Sequence, residues 1–185
     1  MFIDLLRTRR SIRKFTEQPV APETIDLILE AALRSPSSKG TNPWELIVVT
    51  DRAMVCQLAA AKAHGAAFLQ SAPLAIVVCA DPDKSDVWVE DAAIAATLIH
   101  LETADLGLGS CWVQIRLRQR GDGSDSQAFL ADLLGLPEGM MVLAIIGIGH
   151  PADTKSGHPR ASLPFNQVSF ERFGQRGSPS LQEGG

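Results

Sequence analysis

Basic side chains are concentrated near the start of the chain. Five of the eight residues from 7 to 14 are Arg or Lys, in a protein whose formal net charge is -4. The guanidinium groups and the hydroxyl of this segment are donors that suit the oxygens of a phosphate group. They belong to Arg9, Arg10, Ser11 and Arg13. The segment therefore predicts a site for a phosphate-bearing small molecule. A solvated basic face and a nucleic-acid-binding arm are the other two interpretations.

A polar loop over residues 35–44 offers a second set of hydrogen-bonding groups. It contains two prolines, one glycine and five short polar side chains, and it ends at Trp44. The prolines restrict the backbone, and an indole can anchor the loop in the core. Together with the arginines, the loop is expected to form the polar edge of a pocket for a planar heterocycle. An ordinary polar turn is the alternative.

A third segment, Gly-Leu-Gly-Ser-Cys-Trp at residues 107–112, resembles a dinucleotide-binding glycine motif only superficially. Its glycines precede a predicted strand instead of joining a strand to a helix, and the third glycine is missing. A Rossmann site is therefore excluded. Two interpretations remain: a helix stop followed by a strand, or a strand whose backbone groups after Trp112 face a ring system.

Hydrophobic periodicity and cap signals define the elements that must position these segments. Asp51 and the capping box from Ser124 to Gln127 indicate helix starts, and Pro22 opens another helix. The helix predicted from residue 85 or 86 is apolar nearly all round, which indicates burial on every side or a subunit interface. Helices are predicted over 22–33, 51–64, 85–106 and from 124 to about 134, and strands over 45–50, 74–80, 109–115 and 142–148.

Composition indicates one compact globular domain. The 185 residues are 45% hydrophobic and 21% charged, and the mild acidity gives no broad surface for nucleic acid. The apolar runs are too short to cross a bilayer and no leader pattern opens the chain, so a cytoplasmic location is expected. Cys56, Cys79 and Cys111 are predicted to be reduced, buried thiols. No metal site is expected at His150 and His158, because the surrounding glycine and prolines keep no ligand spacing.

The character of the chain changes after Gly149. The remaining residues are rich in Pro, Gly and polar side chains, with widely spaced apolar anchors. The anchors are Leu163, Phe165, Val168, Phe170 and Phe173. They favour an arm that wraps over a partner subunit, and a disordered tail is the alternative. Residues 178–185 are expected to be disordered in either case.

Taken in order, these segments resemble the FMN-dependent nitroreductase family. The resemblance rests on Arg-Arg-Ser-Ile-Arg, Ser-Pro-Ser-Ser, Asn-Pro-Trp, Gly-Leu-Gly-Ser-Cys-Trp and Gly-Ile-Gly-His-Pro, and covers residues from about 5 to 173. It implies an α+β three-layer sandwich with a mixed, mainly antiparallel sheet flanked by helices. It also implies an intertwined homodimer with a swapped C-terminal arm. Residues 1–174 would form one domain, with the arm at 150–174 and a flexible tail at 175–185.

The resemblance also implies a set of site residues. Arg9, Arg10, Ser11 and Arg13 would bind the phosphate and ribityl chain of FMN, with Arg160 as a further contact. Pro36, Ser37 and Ser38 would come from the other subunit and cover the flavin. Val113 and Gln114 would lie near the reactive ring edge, with His64 near the pyrimidine. Lys39 and Gly40 would face the substrate. Solvated side chains at Arg160 and Lys39, and a helix C-cap at His64, are the alternatives.

The implied activity is a ping-pong reaction in which NADH or NADPH reduces the flavin and a small electron-poor acceptor, such as a nitroaromatic or quinone, reoxidises it. No side chain would act as a nucleophile or metal ligand, because the flavin carries the chemistry. Other flavin chemistry on the same fold, such as a dehydrogenase or dehalogenase, and a non-catalytic FMN carrier or sensor are the alternatives. No nucleic-acid or membrane partner is expected.

Overall fold

A four-stranded antiparallel sheet forms the centre of the computed structural model, which describes residues 1–176. The strand order is β1-β2-β4-β3, so β1 and β3 are the edges and β2 and β4 are buried between them. The strands are β1 (Trp44–Val49), β2 (Leu74–Ala80), β3 (Gly109–Gln114) and β4 (Met141–Gly149). All four were predicted to within one residue at each end. The sheet is antiparallel rather than mixed; the parallel pairing is an isolated bridge between Ser11 and Ser110.

Helices cover both faces of the sheet. They are α1 (Phe2–Thr8), α2 (Pro22–Leu33), α3 (Arg52–Leu58), α4 (Trp88–Asp105) and α5 (Ser126–Leu134). One apolar cluster joins α2 and α4 to one face, and a second joins α3 and α5 to the other. The predicted three-layer α+β architecture is therefore confirmed. No helix in the described part of the chain is long and apolar enough to cross a bilayer.

The alanine-rich helix ends earlier than predicted. Asp51 caps it as expected, by accepting a hydrogen bond from the Met54 N–H, but α3 stops at Leu58 and gives way to short 3₁₀ turns. The Ala63 N–H donates to the carbonyl of Gln119 instead of to its own helix. This tertiary hydrogen bond outweighs the local helix propensity of alanine. His64 is consequently not a helix C-cap.

The cap of α5 also differs from the prediction. Asp125, not Ser124, accepts the hydrogen bond from the Ala128 N–H, at 3.1 Å. The Ser124 hydroxyl donates to Asp122, and the Gln127 amide bonds the start of β4. Asp is as good an N-cap as Ser, so the choice depends on which side chain has a competing partner.

Within one chain, α4 is not buried on every side as predicted. Its alanine face and Ile99 are buried against α2 and the sheet, whereas Ile94 is 40% exposed. The helix begins at Trp88, two or three residues later than predicted, because Ser85 and Val87 form a hydrogen-bonded turn before it. The exposure of Ile94 is consistent with the subunit-interface interpretation.

The segment after β4 has two parts. Residues 150–157 pack on their own chain: the Ala152 N–H donates to the Lys14 carbonyl, and the Thr16 N–H donates to the His150 carbonyl. Any Cβ at Gly157 would overlap the Arg7 carbonyl, so this position requires glycine. Beyond residue 158 the apolar anchors identified in the sequence are exposed. The predicted disordered tail at 178–185 lies outside the described residues.

The cysteines are not all buried. Cys79 and Cys111 are buried as predicted, but Cys56 on α3 is exposed. The helix carries Cys56 on its solvent side, while Val55 and Leu58 face the core. Local composition did not reveal this, because the neighbouring alanines are compatible with either side of the helix.

Candidate functional site

The arginine segment lies along the free edge of β3. The Ile12 N–H donates to the Ser110 carbonyl at 3.0 Å, and Gly109 lies so close to Ile12 that a Cβ would approach its side chain within 2.7 Å. Backbone groups alternate between the two edges of a strand. The N–H and C=O of Trp112 and Gln114 therefore point to the same free edge as those of Ser110. This edge can accept a planar ring beside the arginines.

A cavity of about 670 Å³ separates α1 from the arm. Four basic side chains line it, together with apolar side chains and no carboxylate. The basic residues are Arg7, Arg9, His158 and Arg160, and the apolar ones are Ile3, Leu6, Pro159 and Leu163. The structure thus brings Arg9 and Arg160, which are 151 positions apart in the sequence, to one cavity. The donor set suits the charge of a phosphate monoester.

His158 also lines this cavity. In the sequence, this histidine was considered only as a metal ligand. Its position two residues before Arg160 on the same arm was the available signal. Among residues 1–176, no group of His, Cys, Asp and Glu side chains is arranged to hold a metal ion. The arm histidine is therefore placed beside arginines, not beside other ligands.

Arg10 has a different environment from Arg9. Its guanidinium donates to the Ser156 carbonyl and lines a smaller cavity of about 260 Å³, where Lys155 and Asp153 also lie. The Oδ1 atom of Asp153 is buried without a hydrogen-bond partner in the described part of the chain. Arg10 thus anchors the arm to the N-terminal segment, while Arg9 lines both cavities.

A neutral histidine, which the sequence did not reveal as a site residue, supports the start of β3. His100 Nδ1 lies 2.6 Å from the Ser110 hydroxyl, and its ring stacks on Trp112 with centroids 6.1 Å apart. Burial, reinforced by the charge of Arg9, lowers the pKa of His100 to about 4. The imidazole is therefore uncharged at neutral pH and fixes Ser110 and Trp112 from the α4 side.

Cys111 lies on the opposite side of β3 from His100. Burial raises the pKa of its thiol, although Arg13, the Ser11 hydroxyl and Lys155 act in the opposite direction. The thiol is therefore protonated at neutral pH. Because the charge of Arg13 acts on the Cys111 thiol, the exposed Arg13 side chain lies close to the middle of the free edge.

Both polar atoms of the Gln114 side chain form hydrogen bonds at the end of β3. Its Oε1 accepts a hydrogen bond from Trp112 Nε1 at 3.0 Å, and its Nε2 donates to the Arg116 carbonyl at 3.1 Å. Val113 buries its side chain in the core. Gln114 therefore offers backbone rather than side-chain groups at the free edge, whereas the backbone groups of Val113 face β4.

The polar loop lies at the opposite edge of the sheet. It leads into β1, whereas the arginine segment follows β3, and three strand spacings separate these edges by ~14 Å. The Ser37 hydroxyl bonds Asn42, and the Ser38 N–H bonds Asp91 on α4. Pro36, Lys39 and Gly40 are exposed. A single chain therefore does not bring the loop to the arginines.

His64 is exposed in the loop that follows α3. The hydrogen bond from the Ala63 N–H to the Gln119 carbonyl joins its loop to the segment that follows Gln114. The structure thus orders the predicted residues along one strand: Arg9 and Ser11 at its start, Arg13 beside its middle, and Gln114 at its end.

Comparison with known proteins agrees with this arrangement. The sequence model of the Nitroreductase family matches residues 6–64 and 51–150. A curated relative from Archaeoglobus fulgidus, provisionally named an NADH dehydrogenase/NAD(P)H nitroreductase, is 38% identical over 92% of this chain and 96% of its own. The NADPH-flavin oxidoreductase of Vibrio harveyi is 31% identical over 91% of this chain and 72% of its own.

A solved structure extends the agreement to the fold. The FMN-dependent nitroreductase from Clostridium difficile R20291 has a TM-score of 0.90 and 43% identity, and the match covers 92% of this chain and 99% of that one. Sequence and architecture thus agree over nearly the whole described chain. The protein belongs to the nitroreductase family of oxidoreductases.

Proposed function

We propose that this protein is an FMN-dependent oxidoreductase that uses NADH or NADPH to reduce small electron-poor acceptors such as nitroaromatics or quinones. The observation that carries the proposal is the cavity in which Arg9 and Arg160 converge without a carboxylate. Arg9 lies three residues before Ile12, whose N–H bonds the start of β3. The names of the similar proteins, which include an FMN-dependent nitroreductase and an NADPH-flavin oxidoreductase, support the same cofactors.

The phosphate end of FMN fits the basic cavity. A phosphate monoester carries about -1.5 to -2 charges at neutral pH, a load that two arginines match. Arg9 and Arg160 would hold it, with His158 and Arg7 at the rim. Ser11, whose backbone is fixed by its bridge to Ser110, would bind the ribityl chain next to the phosphate.

The ring end of FMN fits the free edge of β3. When bound, FMN supplies the two-electron chemistry between the nicotinamide and the acceptor. The backbone groups of Trp112 and Gln114 would hydrogen-bond the ring edge, and Arg13 would place a positive charge near it. Such preorganised donors stabilise negative charge that develops on a ligand. Donor and acceptor would share the remaining open face and therefore bind in turn, which is a ping-pong order.

A second copy of the chain would complete the site. The polar loop with Pro36, Ser37 and Ser38 lies at the opposite sheet edge from the arginines, so it would cover the flavin of a partner. The exposed apolar side chains of α1, α4 and the arm supply the surface that a dimer would bury: Phe2, Ile3, Leu6, Ile94, Leu163, Phe165, Val168 and Phe170. We therefore assign the arm to the partner subunit in a homodimer.

The test is the visible spectrum of the purified protein, followed by anaerobic addition of NADH or NADPH. A yellow protein whose released cofactor is FMN, and whose colour bleaches with the donor and returns with a nitroaromatic or quinone, would support the proposal. A yellow protein that neither donor bleaches would instead be a carrier. A colourless protein that does not take up added FMN would refute the cofactor assignment.

A further inference from the structure

A cationic turn follows β3, and it has no role in the proposed binding of FMN. It comprises residues 115–120, which we call the arginine turn, and it alternates Arg116, Arg118 and Arg120 with no acidic residue among them. Leu117, at its tip, is 77% exposed. The chain as a whole is acidic, so this is a local reversal of charge.

The backbone of the arginine turn is fixed rather than loose. The N–H groups of Ile115 and Arg116 both donate to the Leu143 carbonyl at 3.1 Å, and the Arg118 N–H donates to the Ile115 carbonyl at 2.9 Å. Leu117 consequently adopts a φ of 59°, in the left-handed region that branched side chains avoid. The fold thus holds an apolar side chain outward at a conformational cost.

The guanidinium groups of the three arginines are held in different ways. Arg120 pairs with Asp122 at 3.0 Å, donates to the Ala60 carbonyl and lies over the Phe129 ring. Arg116 lies over the Trp88 ring at 5.8 Å, and Arg118 donates to the Leu117 carbonyl. Within the part of the chain that the structure describes, neither of these two forms an ion pair.

The arginine turn stands at the ring end of the proposed flavin site. The Gln114 side chain donates to the Arg116 carbonyl, which ties the turn to the free edge of β3. Ser110, beside the first cationic site, is five residues from Ile115, a span of ~17 Å along an extended strand. One strand therefore has a basic cluster at each end, and the single phosphate of FMN can occupy only one of them.

We propose that the arginine turn binds a phosphate group of the nicotinamide dinucleotide donor. This inference rests on the proposed function. Arg116 and Arg118 supply the forked donors that suit phosphate, and Leu117 supplies an apolar contact for the adenosine part. The phosphate is either the 2′-phosphate, which only NADPH carries, or the pyrophosphate, which both donors carry.

The test compares Arg118→Ala and Arg116→Ala with the wild-type protein loaded with FMN. Two quantities are measured: the KM for NADPH and for NADH, and the affinity of the oxidised holoenzyme for NADP⁺ and NAD⁺ by calorimetry. Loss of one charge-assisted contact should raise KM and weaken binding about tenfold or more. An effect on the NADPH pair alone identifies the 2′-phosphate, and an equal effect on both pairs identifies the pyrophosphate. Arg118→Lys should retain part of the affinity.

Controls separate this inference from the proposed function. Arg52→Ala removes an exposed arginine at the start of α3, which follows β1 at the opposite edge of the sheet from β3. This variant should leave KM and binding unchanged for both donors. FMN content and bleaching by dithionite should be normal in every variant. Wild-type KM and binding for both donors in both arginine variants would overturn the inference and leave the proposed function intact. A wild-type protein that binds no FMN, or that neither donor reduces, would overturn both.

Discussion

The backbone N–H of Ser38 donates a hydrogen bond to Oδ1 of Asp91 at 2.8 Å, joining the polar loop to the first turn of α4. The other carboxylate oxygen accepts from the Ser85 hydroxyl, also at 2.8 Å. Asp91 is 3% exposed, so its two oxygens depend on these donors for their hydrogen bonds. The loop that would cover a partner's flavin is thus fixed by a buried carboxylate 53 residues away.

Asp91→Ala should destabilise the protein by about 1.5–3 kcal/mol, because it removes charge-assisted hydrogen bonds from a buried site. Asp91→Asn keeps an acceptor for the Ser38 N–H and should cost less. The urea midpoint measures stability, and hydrogen exchange at the Ser38 amide should be faster in the Ala variant. Asp86→Ala removes an exposed carboxylate nearby and serves as the control. If Asp86→Ala and Asp91→Ala give the same urea midpoint and the same exchange rate at Ser38, Asp91 does not anchor the loop.

The elements that depend on local pattern could be predicted from the sequence. Apolar runs bounded by glycine or proline gave all four strands, and Pro22 and Gly107 marked helix boundaries correctly. The errors occurred where a distant partner decides the local structure. α3 ends at Leu58 because its continuation bonds Gln119, a residue that no local pattern connects with it.

The candidate site shows the same limit. Clustering of Arg9, Ser11 and Arg13 in the chain was visible, because they act from one segment. His100 and Asp91 were hidden inside a helix that otherwise reads as apolar, and their partners lie on β3 and in the polar loop. Only the folded chain shows that these buried polar groups position site residues.

Arg9→Ala and Arg160→Ala should each weaken FMN binding by about 10- to 100-fold, since each removes a charge-assisted contact worth ~1.5–3 kcal/mol. Because both side chains line one cavity, the double variant should show non-additive loss. Flavin fluorescence titration of the apoprotein measures the affinity. Arg34→Ala, on α2 and paired with Glu30, is the matched control. Unchanged affinity in both single variants would place the phosphate elsewhere.

His100 should make stability depend on pH. Its folded pKa of about 4 lies below the unfolded value of 6.5, so the unfolded state binds the proton more readily. Stability from this group is therefore complete above pH 6.5 and is lost as the pH falls toward 4, by up to roughly 3 kcal/mol. His100→Gln should flatten the pH dependence of the free energy of unfolding over this interval. His64→Gln, at an exposed histidine, should leave it unchanged. A wild-type curve that is already flat would contradict the burial argument.

The arm should control association. Val168 and Phe170 are 46% and 40% exposed in one chain. If a partner subunit buries them, charged side chains at these positions should prevent its association, because burying an unpaired charge is costly. The double variant Val168→Asp with Phe170→Asp should shift sedimentation from dimer toward monomer, while the far-ultraviolet circular dichroism stays unchanged because residues 150–157 still pack on their own chain. Leu117→Asp alters a more exposed apolar side chain outside the arm and should not affect association. A dimer of wild-type affinity in the double variant, or a wild-type monomer, would show that the arm does not bind a second copy.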